Sequence, residues 1–152
     1  MTISIRPADI HDATLLSAIA VAAKKSWDYP HEWLELWSDT LNITPQFINN
    51  NNVWVATRGT EILGFVAISV RKDIAQVEHM WVQPQVMHQG IGTKLFRHCI
   101  QYCKTHGLTM IRIESDPNAK GFYEKFGAKQ VGEVASKPPP RRLPVLTIQL
   151  TQ

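Results

Sequence analysis

Val82-Gln83-Pro84-Gln85-Val86-Met87-His88-Gln89-Gly90-Ile91-Gly92-Thr93-Lys94-Leu95 joins the end of an apolar run to the start of the most regular periodic stretch in the chain. The pattern predicts a strand ended by Gln83-Pro84, a short loop, and an amphipathic helix from Gly90 to His106. Ile91, Leu95, Cys99 and Cys103 recur at i+4 on one helix face, and Gly107 stands where a C-cap glycine belongs. Two glycines at the junction of loop and helix let the backbone approach a ligand with no Cβ in the way. The unpaired amides of the first helical turn, at the positive end of the helix dipole, then face an anion. Diphosphate is the ligand class that such a loop suits.

Towards the N-terminus, Thr2 to Arg6 alternates as a short strand. A helix follows, with Ala13, Leu16, Ile19, Ala20 and Ala23 on one face and Asp9 or Asp12 as its cap. It must break around Trp27-Asp28-Tyr29-Pro30. A second short helix places Trp33, Leu36 and Trp37 at i, i+3 and i+4, and Thr44-Pro45 opens a third helical turn. Val53 to Ala56 and Ile62 to Val70 flank Arg58-Gly59-Thr60-Glu61 and read as a hairpin. Gln76 to Val82 is a strand, as is Thr109 to Ser115. Asn118 to Phe126 is a short helix stopped by Gly127. Gln130 to Ala135 and Leu143 to Leu150 are closing strands on either side of Pro138-Pro139-Pro140. The order β-α-α-β-β-β-α-β-α-β-β argues an α+β fold around a mixed sheet, not a doubly wound one.

Composition narrows the classes. At 152 residues the chain reads as a single domain over 1–152, long enough to bury ~70% of its unfolded surface without a disulfide or metal. Hydrophobic residues make up 44% and charged residues 19%, which is too apolar for a disordered chain. No apolar run approaches the ~20 residues that cross a bilayer. With neither a basic start nor an apolar stretch after Met1, the reading is no signal peptide, no membrane partner and a cytoplasmic address. Net charge is +3, with basic residues scattered apart from the pairs Lys24-Lys25 and Arg141-Arg142, which suits small anions and leaves no nucleic-acid stripe. Cys99 and Cys103 continue the apolar stripe, and a zinc site would need two further ligands, so they read as core and no metal is expected.

Three phosphate-loop patterns can be set against the opening stretch. The P-loop fails, because no glycine lies five residues before a Gly-Lys-[Ser/Thr]. The dinucleotide pattern needs a third glycine where Leu95 stands. The third, [Gln/Arg]-x-x-Gly-x-[Gly/Ala] between a strand and a helix, is met by Gly90 and Gly92, with Met87 departing at its first position. Downstream, Ile113-Glu114-Ser115-Asp116-Pro117-Asn118-Ala119-Lys120-Gly121-Phe122-Tyr123-Glu124-Lys125-Phe126-Gly127-Ala128 places Asn-Ala after a strand and before Phe-Tyr-Glu-Lys-x-Gly. In both blocks, over roughly residues 53 to 150, the chain resembles the GNAT superfamily of acyl-CoA-dependent N-acetyltransferases. The first fifty residues match in layout.

The resemblance implies a GNAT-like α+β fold: a mixed, mostly antiparallel sheet splayed between two parallel strands, 76–82 and 109–115, and flanked by helices. It implies acetyl-CoA as co-substrate. The backbone of Met80, Trp81 and Val82 would pair with the pantetheine arm. The loop Met87, His88, Gln89, Gly90, Ile91, Gly92 and Thr93 would hold the diphosphate, and Asn118 would contact the cofactor from the other side. The Met87 departure removes a long polar side chain near the phosphates. Since backbone amides carry the main contacts, it should weaken binding and not abolish it.

Acetyl transfer to an amine needs the neutral amine, and a lysine-like amine of pKa ~10.4 is neutral at pH 7 in roughly one molecule in 2,500, a cost of ~4.6 kcal/mol. A base, or a site that disfavours the cation, must supply part of that. Glu78 is the first candidate, on the strand face of Met80 and Val82. His79, on the opposite face, and Glu114 are the others. Tyr123 matches the family's general acid. Between the first two helices Trp27, Tyr29, His31 and Trp33, with Trp37 and Asp28 nearby, form the expected acceptor side, aromatic enough to hold a cationic amine. Arg142 is a candidate contact for an acidic group on the acceptor or cofactor. The expected activity is therefore transfer of an acetyl group to a primary amine of a small molecule or peptide. A catalytically silent acyl-CoA-binding regulatory module is the alternative. The closing strands suit a homodimer.

Overall fold

The computed structural model describes residues 2–150. Five α-helices, Ala13–Lys25 (α1), His31–Leu36 (α2), Pro45–Asn50 (α3), Ile91–Thr105 (α4) and Lys120–Glu124 (α5), accompany seven strands among the described residues. The strands are Ile3–Pro7 (β1), Asn52–Arg58 (β2), Glu61–Arg71 (β3), Ile74–Val82 (β4), Met110–Glu114 (β5), Lys129–Ala135 (β6) and Arg142–Gln149 (β7). They order as β1-β2-β3-β4-β5-β7-β6 in one sheet. Its β4–β5 pair is parallel, while β1–β2, β2–β3, β5–β7 and β6–β7 are antiparallel. This is the α+β architecture expected of the sequence.

Two compact units make up the chain. One comprises the residues up to Ile68 together with Glu78–Cys99, the other Ser69–Val77 with Ile100 onward. In the first, Leu16, Ile19 and Ala20 of α1 pack with Val55, Phe65 and Ala67 of the sheet. Asp9 caps a 3-10 turn over Ile10–Asp12 through a capping box with Asp12, so α1 starts one turn later than its cap. Ser17 binds the Ile43 carbonyl and amide at 3.1 and 2.7 Å, tying α1 to the segment that leads into α3. Thr44 caps α3 by accepting from the Phe47 amide at 3.0 Å. The second helix departs from expectation. Leu36 lies 48% exposed while Trp37, at the C-cap, is buried, because the helix ends before Leu36 and Trp37 can share a face.

The i+4 stripe of α4 is buried as its spacing requires: Ile91, Leu95, Cys99 and Cys103 are at most 1% exposed. In the second unit Gly107 at φ +73° turns the chain out of this helix, and the Leu108 amide returns to the Cys103 carbonyl at 2.9 Å. Ile74–Val77 of β4 pair in parallel with Met110–Ile113 of β5, and the register stops there. The predicted helix over 118–126 is a 3-10 turn, Pro117–Ala119, followed by the five residues of α5. No described helix is long and apolar enough to cross a membrane.

Candidate active site

In the first unit, β4 ends at Val82 and a 3-10 turn over Pro84–Val86 follows, anchored by buried Val86. His88 and Gly90 both adopt left-handed backbone, φ +66° and +81°. Gly90 supplies at little cost the conformation the turn into α4 needs, and its carbonyl accepts from Lys94 N at 3.1 Å. The amides of Ile91, Gly92 and Thr93 thus belong to the first turn of a fifteen-residue helix, where no i−4 carbonyl is available to them. His88, Gln89 and Gly90 are exposed and Met87 is half-buried. Lys94 turns away, its Nζ 3.2 Å from the Ile3 carbonyl.

Beside this loop, Gly64 of β3 faces the end of β4. A Cβ there would come within 2.6 Å of the Trp81 carbonyl oxygen and 3.1 Å of Val82 Cα. Gln83 fastens the same junction, its N and Nε2 donating to the Leu63 and Ile62 carbonyls at 2.8 and 2.6 Å. Along β4, Glu78 is exposed, Met80 and Val82 are half-buried, and His79 is buried. Burial lowers the His79 pKa to about 4. Its ring lies against Phe47 and Phe65, and its Nδ1 accepts from Trp81 Nε1 at 3.0 Å. A neutral imidazole so weakly basic orients the Trp81 indole and is a poor proton acceptor at pH 7, which leaves Glu78 as the base candidate on this strand.

Three of the four predicted acceptor residues come together. Tyr29 stacks on Trp33 at 5.7 Å between centroids and meets Trp37 edge-on at 5.0 Å, while Trp27 lies 6.1 Å from Trp81. His31 does not join them. It is exposed and pairs with Glu35 at 3.0 Å along the outer face of α2. The cluster holds a residue that sequence reasoning missed: Lys24 Nζ lies 4.4 Å from the Trp37 ring centroid and 5.0 Å from that of Tyr29.

In the second unit Tyr123 is 5% exposed on α5, its ring 5.1 Å from that of Phe122. Asn118 is exposed, and both its N and its Nδ2 donate to Asp116 Oδ1, at 2.8 and 3.0 Å. Asp116 in turn pairs with Arg141. Arg142, the arginine singled out from the sequence, bonds Glu133 Oε1 at 3.1 Å across the β6–β7 pair. Glu114 is held by Arg112, which also binds Gln76 Oε1 at 2.9 Å, so this carboxylate is engaged on the β4–β5 ladder. No group of three His, Cys, Asp or Glu among the described residues is placed to hold a metal ion.

A family profile described as the acetyltransferase (GNAT) domain matches residues 28–137. The chain belongs to this GNAT family. Among its relatives is the peptidyl-lysine N-acetyltransferase YjaB of Salmonella typhimurium, 29% identical over 135 residues that cover 87% of each chain. N-acetyltransferase 8 of Homo sapiens is 23% identical, over 82% of this chain and 59% of its own length. The chain spans just over half the length of the first curated relatives it matches. The PaiA N-acetyltransferase of Thermoplasma acidophilum, solved in complex with coenzyme A, superposes with a TM-score of 0.84 at 20% identity, covering 98% of this chain and 99% of that one. That likeness shows the GNAT fold.

Proposed function

We propose that the protein is a single GNAT domain that transfers the acetyl group of acetyl-CoA to a primary amine of a small molecule or peptide, in the cytoplasm. One observation carries the reading within a chain of this family. Left-handed Gly90 turns the end of β4 into a fifteen-residue helix whose first-turn amides lie beside an exposed loop. Those residues fit a diphosphate: nothing lies within 4 Å of where a Gly90 Cβ would be, and the amides of Ile91, Gly92 and Thr93 are the donors. Bound acetyl-CoA supplies the activated acetyl group.

The chain's own residues do the rest. The backbone of Met80, Trp81 and Val82 pairs with the pantetheine arm, and Asn118 contacts the cofactor. Glu78 takes the proton from the acceptor ammonium through water. The Tyr123 hydroxyl donates a hydrogen bond to the departing sulfur. Full proton transfer from a tyrosine of pKa ~10 to a thiolate of pKa ~8.5 is uphill by ~2 kcal/mol, so stabilisation by the hydrogen bond is the role assigned. Trp27, Tyr29 and Trp33 border the acceptor. The relative named for peptidyl-lysine supports a peptide among the acceptors. Edge strand β6, with Val131 65% exposed, is the surface through which two copies would pair, and light scattering reads that directly.

Incubation with acetyl-CoA and a panel of primary amines, followed by thiol release, tests the activity. Acceptor-dependent release is expected. Acetyl-CoA binding with no amine-dependent release would make the protein the silent acyl-CoA-binding module.

A further inference from the structure

Lys24 lies in the last turn of α1 and is only 8% exposed, an unusual place for a lysine. Four rings surround its ammonium. Nζ is 4.4 Å from the centroid of Trp37, 5.0 Å from Tyr29, and 5.8 Å from both Trp27 and Trp81. All four distances fall within the ~6 Å over which a ring face attracts a cation. The rings come from separate stretches: Trp27 and Tyr29 follow α1, Trp37 caps α2, and Trp81 stands on β4 with its indole nitrogen fixed by His79. His79 thereby helps hold one wall of the cage.

We propose that this aromatic cage is an alkylammonium site whose resident is the ε-ammonium of Lys24, and that Lys24 thereby sets the acceptor class. The rings that would hold a cationic group of the acceptor hold a cation of the chain instead. The acceptors that follow are primary amines whose remainder carries no second ammonium, because the seat for one is filled. The acceptor half of this inference rests on the transferase reading above, and the cage half does not.

Replacing Lys24 by alanine removes Cγ through Nζ and leaves a space with the shape of n-propylammonium. Titration followed by tryptophan fluorescence, with n-propylammonium and its neutral counterpart 1-propanol, reads the cage. Lys24→Ala should bind n-propylammonium saturably and at least tenfold more tightly than 1-propanol. The wild type, which can take n-propylammonium only as an acceptor, should bind it at least tenfold more weakly than Lys24→Ala does. Equal binding of both probes by Lys24→Ala would mean a plain cavity, and n-propylammonium binding by the wild type as tight as by Lys24→Ala would mean Lys24 does not fill the site. Either result overturns the proposal.

The wild-type arm of a second measurement needs no variant, and so stands even where Lys24→Ala does not fold. Wild-type kcat/KM for 4-aminobutan-1-ol should exceed that for 1,4-diaminobutane at least tenfold, and Lys24→Ala should narrow the ratio to within about threefold. Equal use of the two by the wild type overturns the acceptor assignment. Acetylation of no amine at all, with the fluorescence result as expected, overturns the transferase reading and the acceptor half with it, and leaves the cage assignment standing.

Discussion

Arg141 Nη2 lies 3.2 Å from Asp116 Oδ2, and the two side chains are only 10% and 8% exposed. The pair joins the β6–β7 connection to the turn that carries Asn118. Arg141 also donates to Ser136 Oγ at 3.0 Å, while the other Asp116 oxygen takes both nitrogens of Asn118. Removing one partner of a covered ion pair strands the other charge, at a cost of ~3–5 kcal/mol. Arg141→Ala should therefore lower the urea-unfolding free energy by about 3 kcal/mol. It should also raise KM for acetyl-CoA more than it lowers kcat, because the Asp116 carboxylate that holds Asn118 loses its own partner. Arg142→Ala, which breaks a pair 53% exposed on both sides, should change stability by less than about 1 kcal/mol.

Gly64→Ala would drive a Cβ to 2.6 Å from the Trp81 carbonyl oxygen, and backbone on both sides leaves little room to yield. A loss of about 1–3 kcal/mol in stability is expected, the usual range for overpacking. Weaker acetyl-CoA binding should accompany it, since the strand displaced is the one assigned to the pantetheine arm. Urea unfolding and calorimetry on the same variant separate the two effects. Unchanged affinity in a destabilised protein would detach β4 from cofactor binding.

His79 gives stability a pH dependence of definite sign. Its folded pKa of about 4 lies below the ordinary value of 6.5, so between those values the unfolded chain binds the extra proton. The contribution is present above pH 6.5 and is lost as pH falls towards 4. From pH 7 to pH 5 it amounts to about 2 kcal/mol. His79→Gln, which keeps an acceptor for the Trp81 indole, should remove that share of the pH dependence, measured by urea unfolding at the two pH values.

Tyr123→Phe keeps a ring in a 5% exposed position and removes only the hydroxyl. Turnover should fall by about 10²-fold, the lower end for loss of one positioned hydrogen-bond donor to developing charge, with acetyl-CoA affinity unchanged. Thiol-release kinetics and calorimetry check this. An equal loss in affinity would make Tyr123 a packing residue.

Much of the site's frame was legible because its signals are local. The i+4 stripe of α4, the glycines at its two ends and the Thr44-Pro45 helix start each depend on a few adjacent residues. What escaped depends on distant ones. Lys24-Lys25 reads only as a basic pair, and only folding brings Trp37 and Trp81 over Lys24. Gly64 reads as an ordinary strand glycine until β4 lies against it. Arg141 and Arg142 are indistinguishable by pattern, yet one sits where the chain enters β7 and turns to Asp116 while the other joins the β6 ladder. His31 shares its neighbourhood in sequence with the aromatic cluster, but its helix position points it at Glu35.

The loop from Met87 to Thr93 is proposed to hold the diphosphate of acetyl-CoA through backbone amides. Calorimetric titration of the protein with acetyl-CoA, with NADH as control, tests it most directly, run beside Met87→Gln. The expected result is saturable one-site binding of acetyl-CoA alone, tightened at least threefold by Met87→Gln, which restores a long polar side chain at the loop's first position. No binding of acetyl-CoA at near-millimolar concentration, by either protein, would contradict the claim.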